Sequence, residues 1–162
     1  MSRVILGIDP GIAIVGYGLL EADSRDIQQV IDVGVIRTGA GLPTAQRLLS
    51  VFKELEALIQ KYSPTLAAVE KLYFGKNVKT ALTVGEARGV ILLALESSGI
   101  PLKEFTPLEV KVALTGYGRA DKQQMQHMVQ QLLGLKEIPR PDDAADALAV
   151  ALTAAVTYNG KE

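Results

Sequence analysis

The chain has no cysteine. That excludes disulfides, thiolate metal sites and a cysteine nucleophile, and it agrees with a reducing cytoplasm, the location we expect. Histidine occurs once, as His127 in Gln126-His127-Met128. No serine or cysteine partner is suggested for it, so it reads as a structural or surface residue. No apolar run approaches the length of a membrane span. The most apolar stretches, 89–95 and 144–156, are too short or carry Asp146. No basic-apolar-small signal segment opens the chain, so no membrane partner is expected. Positive charge is not in excess: 17 lysines and arginines face 18 aspartates and glutamates, a formal net charge of −1. Nucleic-acid binders are more often basic. An acidic cluster lowers the total, however, while a local basic surface still grips phosphates. Internal repeats, low-complexity segments and interdomain linkers are lacking as well.

What is present suffices for a substantial core. Of 162 residues, 48% are hydrophobic and 22% charged, which predicts one folded domain over 1–158 and a short C-terminal tail, 159–162. Residues 4–8 form a continuous apolar run, as in a strand buried on both faces. Strands are expected again at 16–21 and 30–38, at hairpin-like spacing around Asp23-Ser24-Arg25-Asp26. The period then turns helical: Leu48, Val51, Phe52, Leu55, Leu58 and Ile59 make one stripe, ended by Tyr62-Ser63-Pro64. A strand is expected at 66–72, a helix at 78–97, a short strand at 102–105 and helices at 107–114 and 122–133. The last helix begins near Asp142, after Pro139-Arg140-Pro141. This order, β-β-β-α-β-α-β-α-α-α, predicts an α/β protein: a mixed five-stranded sheet with helices on both faces. It is the element order of the ribonuclease H-like fold.

Four carboxylates carry the chemistry. Asp9 ends the first apolar run, Glu70 ends Leu66-Ala67-Ala68-Val69, and Asp143 and Asp146 open the alanine-rich last helix. Carboxylates at the ends of buried elements are costly unless compensated, and a divalent cation is a common compensation. An all-oxygen site suits Mg²⁺ or Mn²⁺ rather than zinc. Each residue also has a plainer reading. Asp9, before Pro10-Gly11, can cap a turn. Glu70 can pair with Lys71, although strand neighbours point to opposite faces. Asp142 or Asp143 can cap the last helix. Capping does not explain Asp146, which shares a helix face with Asp143 at about 5–6 Å between Cβ atoms. Two like charges so placed repel, and a cation relieves the repulsion.

Other features bear on ligands. Tyr73-Phe74-Gly75-Lys76-Asn77 sets two aromatics beside Lys71 and Lys76 just after Glu70, residue types suited to base stacking and phosphate contact; the same rings can instead fold back onto the core. Positive residues gather around Lys71, Lys76, Lys79 and Arg88, and again at Lys111, Arg119 and Lys122. Gly85 and Gly89 give the long helix a small-residue face for a strand of the same chain or for a second copy. Asp9-Pro10-Gly11 with Gly16 and Gly18 also resembles the phosphate loop of actin-like ATPases, which keeps a nucleotide phosphatase open as an alternative.

The ordered set of Gly7-Ile8-Asp9-Pro10-Gly11, Val69-Glu70, Asn77, Gly85-Glu86-Ala87-Arg88-Gly89, Gln126-His127-Met128-Val129 and Asp143-Ala144-Ala145-Asp146-Ala147-Leu148-Ala149 resembles the RuvC-type Holliday junction resolvases over nearly the whole chain. The resemblance implies a homodimeric, Mg²⁺-dependent endonuclease that makes paired symmetric cuts in four-way junction DNA during recombination and repair. It implies Asp9, Glu70, Asp143 and Asp146 as catalytic metal ligands. It places the junction-core aromatic on Tyr73 with Phe74 beside it, and DNA-contacting lysines on Lys111 and Lys122; Lys76 joins them as a basic neighbour of the aromatics. It further implies a branch-migration helicase complex as partner and a preference for a short T-rich cleavage sequence. The expected mechanism uses two ions about 4 Å apart, bridged by Asp9, with Asp143 and Asp146 completing one and Glu70 the other. A non-catalytic junction-binding module is the remaining alternative; it need not keep all four carboxylates.

Overall fold

The computed structural model describes residues 1–23, 26–71 and 77–158, with only the backbone of Gln28. Five strands, β1 (Arg3–Asp9), β2 (Ile14–Ala22), β3 (Ile27–Arg37), β4 (Leu66–Glu70) and β5 (Leu102–Phe105), form one sheet in the order β3-β2-β1-β4-β5. β1 runs antiparallel to β2 and parallel to β4, so the sheet is mixed, as expected. The helices are α1 (Thr44–Tyr62), α2 (Val78–Ser97), α3 (Pro107–Thr115), α4 (Lys122–Leu133) and α5 (Asp142–Thr157).

The expected element order holds throughout, and only the boundaries move. β2 and β3 start earlier than expected because β-ladder pairing carries through Ile14 and Ile27. β4 ends at Glu70 rather than 72, and Lys71 is already exposed outside it. α1 stops at Ser63, which takes a left-handed conformation (φ 47°) before Pro64. α3 and α4 each start with a capping box, Thr106 with Glu109 and Asp121 with Gln124.

Alternation along the strands sorts the core into two layers. Leu6 and Ile8 of β1 and Ala67 and Val69 of β4 pack against Val51 and Leu55 of α1 and Ile91 and Leu95 of α2. Ile5 of β1 and Leu66 and Ala68 of β4 face the other side, with Val110 of α3, Val129 of α4 and Leu148 and Leu152 of α5. By the same parity, Gly7 and Asp9 of β1 and Glu70 of β4 belong to the α5 side.

Glycines floor that side. A Cβ at Gly7 would stand 2.7 Å from the backbone nitrogen and from Cβ of Ala151, and nearer still to the Ala147 carbonyl. A Cβ at Gly16 would overlap the Asp143 carbonyl, and one at Gly18 would lie 2.6 Å from Leu148 Cδ2. The helix therefore lies directly on the backbones of β1 and β2. Gly16 and Gly18, which left the nucleotide-loop reading open, serve this contact instead.

The Gly7→Ala protein is expected to lose stability through overpacking, by about 1–3 kcal/mol. For a domain of this size each kcal/mol lowers Tm by about 2–4 °C. A melt within a degree of the parent would show that α5 can lift off the sheet freely.

Candidate active site

Two strand ends and one helix start meet on the α5 side. Ile8 pairs with Val69 in the parallel ladder, so Asp9 and Glu70 are the next residues of adjacent strands, at their carboxyl ends. Asp9 pairs across the antiparallel ladder with Gly16. Because the Asp143 backbone rests on Gly16, the first turn of α5 is brought beside Asp9. Asp146 follows one turn later. Sheet register and a glycine together thus gather carboxylates from residues 9, 70, 143 and 146.

Electrostatics report the same proximity. Burial pushes the Asp9 carboxyl from its ordinary 3.8 up to about 8, helped by the charges of Glu70, Asp146 and Asp143 and by a side-chain hydrogen bond with Glu70. Glu70 is raised by burial and by Asp146, against the opposing pull of Asp9 and Lys111. Asp146 is raised by burial, while Lys122 pulls it down and Asp143 and Asp142 push it up. Asp9 and Glu70 are within hydrogen-bonding reach, whereas Asp143 and Asp146 act on Asp9 through charge alone. As the side chains stand, no three carboxylates among the described residues close into a ligand cage. The donor set nevertheless suits a hard divalent cation. It is all oxygen, part-buried and like-charged, and its innermost member is pushed by burial and acidic neighbours to hold a proton.

The plainer readings of Glu70 and of the start of α5 do not hold. Glu70 and Lys71 diverge, Lys71 being exposed with its N–H donating to Phe105. The residue capping α5 is Pro141, with no side-chain cap bond, so neither Asp142 nor Asp143 caps it. Asp142 instead pairs with Lys122, Nζ to Oδ2 at 2.7 Å, and accepts a hydrogen bond from Gln126 Nε2 at 3.1 Å. The sequence reasoning missed that link. Its only signal is the i, i+4 spacing of Lys122 and Gln126 on α4.

Lys111 and Lys122 both border the carboxylates and line a cleft of about 240 Å³ between α3, α4 and α5. Arg88 belongs elsewhere: it forms an ion pair with Glu104 of β5 and so fastens α2 to the sheet edge. His127 is exposed. Tyr73, Phe74 and Lys76 lie outside the described residues.

A family model described as crossover junction endodeoxyribonuclease RuvC matches residues 5–154. The chain belongs to the RuvC family of crossover junction endodeoxyribonucleases. A RuvC of Chloroflexus aurantiacus is 57% identical over 152 residues, 94% of this chain and 92% of that protein. One from Caldicellulosiruptor saccharolyticus is 54% identical over 148 residues, 91% of this chain and 89% of that one. Among solved structures, T. thermophilus RuvC in complex with a Holliday junction substrate superposes with a TM-score of 0.91 at 34% identity, covering 98% of this chain and 96% of that one. The fold is accordingly that of RuvC, ribonuclease H-like, and the chain is a nuclease, a hydrolase acting in Holliday junction resolution. Among the described residues of this RuvC-family chain, no helix is long and apolar enough to cross a membrane.

The raised Asp9 carboxyl has a consequence for stability. An unfolded aspartate loses its proton near pH 3.8, whereas the folded one keeps it to about 8. Between those values the native state binds more protons, so stability falls as pH rises. In EDTA, Tm is expected to drop between pH 5 and pH 8, by at least the ~2–4 °C that 1 kcal/mol produces. Asp9→Asn should flatten the profile. A parent protein whose Tm is level across that range would contradict the assignment.

Proposed function

We propose that Asp9, Glu70, Asp143 and Asp146 are the catalytic residues and hold two Mg²⁺ ions, with Mn²⁺ able to substitute. The observation that carries this is the convergence of strand ends and helix start on Asp9, whose carboxyl has three acidic neighbours, Glu70, Asp146 and Asp143. Bound there, divalent ions supply Lewis-acid activation of water and neutralise charge on the phosphate and the leaving oxygen. The chain's own residues do the rest. The carboxylates fix the site on the sheet rim. Lys111, beside Glu70, and Lys122, beside Asp146, bring positive charge to the strand's phosphates. Tyr73 and Phe74, with Lys76, act at the junction centre in this proposal. Their support is the spacing from Glu70: three and four residues on, they start within reach of the scissile phosphate.

The substrate in this reading is four-way junction DNA, and a homodimer makes the paired cuts. The outer face of α2 supports a homodimer. Leu82 and Leu93 are 64% and 61% exposed, and among the described residues none approaches within 4 Å of a Cβ built at Gly85 or Gly89. These four residues line one stripe, and a two-fold pair of sites suits a nearly two-fold substrate. The proposal also includes residues 1–158 as the single nuclease domain with 159–162 as a tail, a cytoplasmic location, and a branch-migration helicase complex as partner.

Asp9→Asn, Glu70→Gln, Asp143→Asn and Asp146→Asn should each lower Mg²⁺-dependent cleavage of a synthetic four-way junction by more than the ~10–100-fold typical of outer-sphere partners. Junction binding should persist, since no basic contact is removed. A variant that keeps near-full cleavage removes its residue from the ligand set. Lys111→Ala and Lys122→Ala should weaken binding and lower the log–log salt slope by about one unit each. If both slopes match the parent's, these lysines are ordinary solvated charges.

A further inference from the structure

The cleft beside the carboxylates has a floor that phosphate chemistry does not require. Glu70, Asp146, Lys111, Lys122 and Gln126 line it and all keep some exposure to solvent. The lining also includes the buried Val110, Val129, Ala149 and Val150 and the half-buried Met125, all aliphatic or thioether. A phosphate track needs charge and hydrogen-bond donors. An apolar recess behind two lysines instead matches a group that is flat, apolar-faced and tied to a phosphate. Size narrows the occupant. A water occupies about 30 Å³ of liquid, so about 240 Å³ is several waters, yet below the ~300–1,000 Å³ of pockets for drug-sized ligands. That volume is on the scale of one ring system rather than of several. The opening also carries a directional polar group. Gln126 Nε2 is held by Asp142, which fixes the amide plane and leaves its oxygen available to a base edge.

We propose that this cleft receives one nucleobase of the strand being cut, turned out of the stack from a nucleotide flanking the scissile phosphate. The inference rests on the nuclease reading above. With a phosphate between Lys111, Lys122 and the carboxylates, the flanking sugar delivers its base to the recess. Turning a base out costs a few kcal/mol, least where pairing is already broken. The Val110–Val150 floor returns part of that by burying the ring. The site thereby couples base to backbone: the phosphate is seated well only when the neighbouring base is housed.

Two measurements test this. The first is single-turnover cleavage of junctions with an abasic residue at either nucleotide flanking the scissile phosphate, by the parent and by Ala149→Leu, which fills the recess. One abasic position should slow the parent about tenfold, roughly 1.4 kcal/mol. Ala149→Leu should slow the intact junction similarly and then show no further loss on the abasic one. Multiplicative losses, or a parent indifferent to both abasic positions, overturn the proposal. If Ala149→Leu melts early, Ala149→Val replaces it. The second uses the unaltered protein in metal-free buffer, bound to junctions carrying 5-iododeoxyuridine at the same two positions. Irradiation should crosslink one of them to Met125 or its α4 neighbours; crosslinks confined to other elements overturn it. Failure of the nuclease reading looks different: the parent would then leave the intact junction uncut in Mg²⁺.

Discussion

The close seating of α5 on the backbones of β1 and β2 is the contact on which the rest depends. Gly7, Gly16 and Gly18 take away the side chains that would hold a helix off the sheet: Ala147 and Ala151 meet Gly7, Asp143 meets Gly16, and Leu148 meets Gly18. Leu148 and Leu152, fully buried, fasten the helix there. Removing such a leucine from a core typically costs about 2–5 kcal/mol. Here the same packing also sets chemistry. Its first turns carry Asp142, Asp143 and Asp146, and its depth on the sheet decides how close Asp143 and Asp146 come to Asp9.

That seating forces acidic groups together in a part-buried place, which is unfavourable by itself. The innermost carboxyl responds by holding its proton to about pH 8. Among the described residues, Lys111 on α3 and Lys122 on α4 bring positive charge to Glu70 and Asp146. The site is therefore two-faced, acidic against the strands and basic against the short helices. A phosphodiester bridged to the carboxylates by cations suits that polarity. Lys122 is partly spoken for by Asp142. Both groups are more than half exposed, and such pairs are worth only about 0–1 kcal/mol, so a DNA phosphate can exchange with Asp142 readily.

The α2 stripe and the cleft floor show how the sheet divides the labour. One face of the sheet is closed by α1 and α2 through a continuous aliphatic layer. The outward side of α2 leaves Leu82 and Leu93 uncovered, so the proposed dimer face and the proposed metal site lie on opposite sides of the sheet. On the other face α3 and α4 are short, and a cleft opens between them and α5. That cleft leaves the proposed metal site room for a substrate group.

The sequence by itself determined the elements and the residues that carry charge. Apolar runs ending in Asp9 and Glu70, the helical stripe of α1, and Asp146 inside an alanine-rich helix are local patterns, and local patterns survive in one dimension. The ordered motifs were enough to point to the family. Boundaries slipped where pairing with a neighbouring strand decided them, as at Ile14 and Ile27. What only the tertiary structure decided is how distant residues meet. Nothing in the sequence says that Gly16 is floor for the Asp143 carbonyl rather than part of a nucleotide loop, since a glycine's use depends on what approaches it. Nor does it say that Arg88 is taken by Glu104, that Asp142 holds Lys122 instead of capping α5, or that an apolar recess opens behind the lysines. Each of those is a contact between elements far apart along the chain, fixed by sheet register and helix depth rather than by any residue's own preference.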